Sequence, residues 1–293
     1  MKGLTADQAL DLTVGPDSLS WRFASDPRAL LVGGYVQLMH LTHPTVGAGV
    51  RDFSSYQADP FGRLQRTVDY INLLTYSPPA EAVEVAERVR NLHRTIKGTN
   101  PDGTRYSAFE PEAFAWVQAT LIKGLITAAD QLIGADLTSV EREQLYREQA
   151  GLGRLLGVQE GALPDSWADF EAYWDHMVES RLTYLDTARE YLEMLRRPAA
   201  PKPLPEYLRP IWPVLRTPSS GLALSISFGL MPEVMRDRLG ISWGFVQERK
   251  FRTLTASMRA MTPVLPKSVR VSGPRSLERR ADAIAHLPFA PTD

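Results

Sequence analysis

Four side chains on two neighbouring helix patterns have the types and spacing to do chemistry. Arg63, Arg66 and Thr67 fall at i, i+3 and i+4, with Tyr70 at i+7, so they project from one helix face. His93 lies in the next pattern, on an otherwise apolar stripe with Val85, Ala86, Val89 and Ile96. A neutral imidazole in an apolar wall is what a haem iron needs on its proximal side. Arginines close by pair with propionates or polarise dioxygen. A small hydroxyl such as Thr67 donates a hydrogen bond while leaving room for a substrate. Each residue also has a plainer reading. A lone histidine on an apolar face is more often a hydrogen-bonded core residue than a ligand, and helix arginines are often surface or salt-bridged.

The elements that must position these residues are helical. Ser77-Pro78-Pro79 breaks the two patterns, and so short a connection predicts antiparallel neighbours, with His93 brought toward the Arg/Thr face. Upstream, residues 1–27 are polar with turn signals and read as a loosely structured arm. Asp26 is a helix N-cap and Pro27 a first-turn proline. Residues 28–50 are apolar nearly all round, a helix buried on most sides, with close approach allowed at Gly33-Gly34 and a break near Pro44. His40 and His43 in it read as core or helix-end histidines.

Downstream, Asn100-Pro101-Asp102-Gly103 is a strong turn. Glu110-Pro111-Glu112 opens a helix through Gly134, with a wide apolar face from Phe114 to Ile126. Thr138 and Glu141 form a capping box for a helix over about 139–156. Residues 165–196 read as one long amphipathic helix ending at Arg196-Arg197-Pro198. Residues 198–220 carry seven prolines, from Pro198 to Pro218, and suit a linker or a segment wrapped over the core. LALSISFGLM is a buried helix too short to span a membrane. The last clear helix covers about 243–262, and a basic tail follows with a short helix near Glu278–His286. Period-2 strand patterns are nearly absent. The expected fold is all-α: an N-terminal arm (1–27), one helical domain (28–262) with a pocket between its helices, and a C-terminal tail (263–293).

Composition limits the function classes. The chain has 293 residues, 44% of them hydrophobic, and a formal net charge of -1. That balance argues against nucleic acid, which usually needs a clustered basic excess. With no cysteine, disulfides, thiolate haem ligation, iron–sulfur clusters and Cys-type zinc sites are excluded. No apolar run is long enough to cross a membrane, and the N-terminus lacks the apolar core of a signal peptide. The expected compartment is cytoplasmic, although absence of cysteine also suits an exported protein. Walker, G-x-S-x-G, H-E-x-x-H and G-x-G-x-x-G motifs are absent, and no pair of histidines is placed for a convincing metal site.

Several stretches share one resemblance. GGYVQLMHLTHPTVGAGV, DPFGRLQRTVDY, and HRTIKG followed by NPDGTRYSAFEPEAFAWVQATL are similar to the catalytic domain shared by bacterial rubber oxygenases and the MpaB-type oxygenase of fungal mycophenolic acid synthesis. Leu163–Tyr173 carries a weaker match. The resemblance implies an all-α protein binding haem b, with His93 as proximal iron ligand. Arg63, Arg66 and Thr67 then align with the Arg-x-x-Lys-Thr helix that lines the distal pocket. The reaction it implies is oxidative cleavage by dioxygen of a carbon–carbon double bond in an apolar, isoprenoid-like small molecule. Three departures stand out. Arg66 replaces the lysine, and an arginine cannot ligate iron as an amine. Residues 44–58 contain no glutamate to act as base, only Asp52. Gln118 stands where relatives often carry histidine. These keep open a haem-dependent monooxygenase or peroxygenase of a biosynthetic pathway, and a non-enzymatic haem-binding helical protein.

Overall fold

A computed structural model describes residues 5–54, 60–198, 200 and 206–279. Residues 5–27 are more ordered than a loose arm. Thr5 and Gln8 form a capping box that starts α1 (Ala6–Asp11), and the Ser18 hydroxyl accepts from the Trp21 amide to start α2 (Leu19–Ala24). Ala9 and Phe23 are buried, so these short helices are held by packing that a polar sequence window does not reveal. The Asp26 carboxylate accepts from the Arg28 amide and opens a 3₁₀ turn, Pro27–Val32, leading into α3 (Gly33–Leu41). His43-Pro44 breaks the chain as expected and starts α4 (Pro44–Phe53).

Next come α5 (Pro60–Tyr76) and α6 (Pro79–His93), joined by Ser77-Pro78. The predicted turn at 100–103 closes a small antiparallel hairpin, β1 (Lys97–Thr99) with β2 (Arg105–Ser107), Gly98 opposite Tyr106. It is the one sheet among the described residues. The helix α7 (Pro111–Thr127) runs into a π-helical turn, Ala128–Ile133, which Gly134 ends at φ 73°. The Thr138/Glu141 capping box begins α8 (Ser139–Leu156), as predicted.

The single long helix expected over 165–196 is instead two, α9 (Trp167–Ser180) and α10 (Asp186–Arg196). Tertiary contacts overrule the pattern here. The Arg238 guanidinium donates to the carbonyls of Val178, Glu179 and Leu182, and the Thr183 amide donates to the Thr42 carbonyl at 2.8 Å. Those bonds satisfy a helix end that the sequence itself does not cap. Within the proline-rich stretch, residues 199 and 201–205 lie outside the described residues. A 3₁₀ turn, Glu206–Ile211, leads into α11 (Trp212–Gly229), so the second half is helix rather than linker. Then follow α12 (Glu233–Arg238), the predicted α13 (Phe245–Met261), α14 (Lys267–Arg270) and α15 (Gly273–Arg279). The tail folds back: the Ser272 amide donates to the Ser25 carbonyl, and α15 packs on α5. The helix expected at 278–286 falls mostly outside the described residues.

The all-α expectation holds. The main core runs along α3 and α7, where Leu38, Met39, Leu41, Ala115, Trp116, Ala119 and Ile122 are fully buried. Small residues let these helices approach. A Cβ on Gly124 would lie 2.6 Å from Val36 Cγ2, and one on Gly34 would strike the Ser227 hydroxyl of α11. Of the predicted pair, Gly34 makes the close approach, while Gly33 has room. A second cluster joins Leu73 and Leu74 of α5, Val85 and Ala86 of α6, and Leu152 and Leu155 of α8. Among the described residues no helix is long and apolar enough to cross a membrane.

Candidate functional site

The α5–α6 pair decides where the four residues lie. Its two helices meet through Leu73, Leu74, Val85 and Ala86, and the short connection at Ser77-Pro78 makes them antiparallel. The start of α5 therefore sits level with the end of α6, so Arg63, Arg66 and Thr67 share one end of the pair with His93. Consistent with this, the charges of Arg66 and Arg88 both act on the Tyr70 hydroxyl between them.

His93 closes α6. Its Nδ1 donates to the Val89 carbonyl at 2.7 Å, one turn back. That bond fixes the ring and leaves the Nε2 lone pair without a hydrogen-bond partner among the described residues. Phe114 of α7 meets the ring edge-on at 5.8 Å between centroids, and Phe109 stacks on Phe114 at 5.3 Å. Burial pushes the imidazole below its usual pKa, so it is neutral near pH 7. Part of its surface nevertheless stays accessible. This ring lies deep but is not packed shut.

His40 of α3 is the second histidine on this side of α7. Its Nε2 donates to the Val117 carbonyl at 3.2 Å, one turn along from Phe114. Burial, helped by the positive charge of Arg63 and opposed by the bond to Val117, lowers its pKa to about 4. The charge of Arg63 also reaches the Tyr191 hydroxyl of α10, which burial pushes up to about 12. Arg63, half-buried on α5, is thus the residue whose charge links α5 to both α3 and α10. Arg66 is half-buried and Thr67 exposed, and the Thr67 hydroxyl donates to the Arg63 carbonyl at 3.1 Å, within its own helix. Sequence reading set His40 aside as a core histidine and did not single out Tyr191. Neither carries a motif, and only their position relative to Arg63 distinguishes them.

Two of the three departures noted in the sequence have structural counterparts. Asp52 is turned to the hairpin, where it accepts from Tyr106 and from Arg51 at 2.6 Å. Arg51 holds its carboxyl below the usual carboxylate range, which makes it a weak base. The carboxylates nearest Phe114 along α7 are Glu110 and Glu112. The first accepts from the Thr45 hydroxyl at 2.5 Å; the second takes a two-pronged bond from Arg181 and lies 3.4 Å from His43. His43 is buried at the start of α4, a helix-end histidine as expected. Gln118 faces inward between helices: its Nε2 donates to the Gln149 carbonyl at 2.7 Å, and its stem fills the space left by Gly153. Its task is to join α7 to α8.

Comparison with known proteins defines the class. The family described as ER-bound oxygenase mpaB/B'/Rubber oxygenase, catalytic domain, matches residues 21–260. The chain belongs to this oxygenase family, whose chemistry takes dioxygen and a substrate. Two relatives, an uncharacterised protein of Mycobacterium bovis and one of Mycobacterium tuberculosis, are each 26% identical over 233 residues. Each match covers 78% of this chain and 87% of the relative. No solved structure matches the chain.

Proposed function

We propose that this protein is a haem b-dependent oxygenase acting on an apolar, alkene-containing or isoprenoid-like small molecule. The carrying observation is the state of His93: neutral, oriented through Nδ1 by the Val89 carbonyl, with no hydrogen-bond partner for Nε2 among the described residues and the Phe114 ring edge-on beside it. A metal-ligating histidine commonly donates its other ring N–H to a backbone carbonyl in this way, which fixes its tautomer and orientation. The donor set therefore fits a haem iron, with His93 as its ligand. Bound there, haem would supply activation of dioxygen for attack on a carbon–carbon double bond.

The remaining steps belong to the chain. Arg63 presents a permanent positive charge that suits a propionate, and its effect on His40 and Tyr191 places it on the inner side of α5. Arg66 stays protonated and offers donors rather than an amine ligand. Thr67 reaches a bound molecule with its hydroxyl once it turns from the Arg63 carbonyl. His40 stays neutral and its Nε2–H is engaged by the Val117 carbonyl, so it is a wall and not an acid. Phe109 and Phe114 supply the apolar surface beside the ligand.

A second reading, a haem-dependent monooxygenase or peroxygenase, rests on Asp52. The one carboxylate of residues 44–58 is engaged by Arg51 and Tyr106 and is a poor catalytic base for cleavage. Absorption spectra of the purified protein and of His93→Ala test the shared part. A Soret band present in the wild type and lost in a still-folded variant is expected. Equal haem content in both would remove His93 as ligand, and a protein that takes up no haem would remove the mechanism. Labelled dioxygen then separates the readings. Cleavage puts label in both carbonyl fragments, whereas monooxygenation leaves the carbon skeleton whole.

A further inference from the structure

The opposite face of α7 carries a cavity. Lys123 and Ile126 each lie nine residues beyond Phe114 and Val117, and at 3.6 residues per turn that is half a turn of azimuth away. The cavity, about 250 Å³, is walled by Tyr35, Lys123, Trp167, Glu171, Trp174 and Met231, with the π-helical turn at its edge. Single π turns inside α-helices occur frequently at functional sites.

The two cations in this cavity are held differently. Arg142 is committed: it bonds Asp130 at 2.5 Å and the Leu137 carbonyl at 3.4 Å, and Asp130 in turn accepts from the Leu137 amide. Lys123 is loosely held. Its ammonium lies 5.0 Å from the Trp167 ring centre and 5.8 Å from that of Trp174, and its one ion pair among the described residues is with Glu171 at 3.3 Å. Glu171 is 53% exposed against 22% for Lys123, so the carboxylate can swing into water while the ammonium stays over the indoles. An ammonium has three donors, and Glu171 occupies one.

We propose that this cavity binds a small monocarboxylate, with its carboxylate replacing that of Glu171 on Lys123. Its body would lie against the indoles, Ile126 and Met231. The volume is below the ~300 Å³ at which drug-sized pockets begin, which restricts the ligand to a single ring or a short chain. The site is independent of the reading of His93 as a haem ligand.

Titration of the full chain with benzoate, followed by tryptophan fluorescence and checked by calorimetry, tests the proposal. Saturable binding is expected, with benzamide, which lacks the charge, about tenfold weaker or worse. Lys123→Met should weaken benzoate about tenfold, and Glu171→Gln, which removes the competing carboxylate, should tighten it a few-fold. A merely structural role for the pair would not move affinity in opposite directions. Should Lys123→Met fail to fold by circular dichroism, Glu171→Gln and the benzamide comparison still decide. No saturation, equal binding of benzamide, or unchanged affinity in Glu171→Gln would each overturn the site. Loss of benzoate binding in His93→Ala would place it at the other site and overturn this one.

Discussion

The α3–α7 wall and the α5–α6 pair are neighbours built to different ends. Along the wall, side chains from Leu38 to Ile122 are sealed, glycines replace bulk where helices touch, and the Trp116 indole donates to the Met39 carbonyl at 2.9 Å. In the pair, the buried side chains among the described residues lie in the half nearer the proline turn: Asp69, Asn72, Leu73, Leu74, Thr75 and Tyr76, then Ala82, Val85 and Ala86. The far end, with Arg63, Arg66, Thr67 and His93, keeps accessible surface. Stability is concentrated in one region and access in the other, which is how a ligand site is usually mounted on a scaffold.

The largest expected effect lies on the wall's own support. Arg28, 8% exposed, bonds Asp26 twice and donates to the carbonyls of Leu132 and Met258 and the hydroxyl of Thr262. It ties the 3₁₀ turn to the π turn and α13. Arg28→Ala strands a buried carboxylate and should cost about 3–5 kcal/mol in chemical denaturation. A loss no greater than that of a surface arginine would break the comparison from the stable side.

His40 gives the next effect, and it depends on pH. Its folded pKa of about 4 lies below the ordinary value of 6.5. Between these values the unfolded chain takes up a proton that the folded chain refuses. Its stabilisation is complete above pH 6.5 and is lost as pH falls through 4, about 3 kcal/mol in all. His40→Leu should flatten that part of the stability curve. A slope unchanged by the substitution would show that the imidazole is not sealed against α7.

Gly124→Val should be milder, roughly 1–3 kcal/mol, because β-branched bulk meets Val36 in a core with little room to relax. Thermal unfolding reads it directly.

What could be read from the sequence follows the same division. The α5–α6 pair, the capping box of α8 and the break at Pro44 were legible because periodicity, caps and prolines are local signals. The split between α9 and α10 was not, since it depends on Arg238, more than fifty residues away in the chain. The helices within residues 5–27 were not legible because two six-residue helices show little periodicity. Of the site, His93 and the Arg63–Thr67 face stood out by type and spacing. His40 and Tyr191 did not, because what marks them is the reach of one guanidinium across three helices. Asp52 shows the opposite case: its type suited catalysis, and only the hairpin's Tyr106 reveals that it is occupied elsewhere.

His93→Ala carries the smallest expected cost in stability and bears most directly on the comparison. The ring loses an edge contact with Phe114 and a bond to the Val89 carbonyl, which can turn to water at an accessible helix end. Such an aromatic contact is worth about 0.5–1.5 kcal/mol, and a carbonyl at a helix terminus is satisfied by solvent. The variant should therefore unfold within about 1.5 kcal/mol of the wild type. A cost near that of Arg28→Ala would mean that His93 is a core strut of the wall, and that its free Nε2 has no functional reason. A small cost together with lost haem would show the opposite. The residue would then be retained by the chemistry it performs, in a part of the molecule that folding alone does not need.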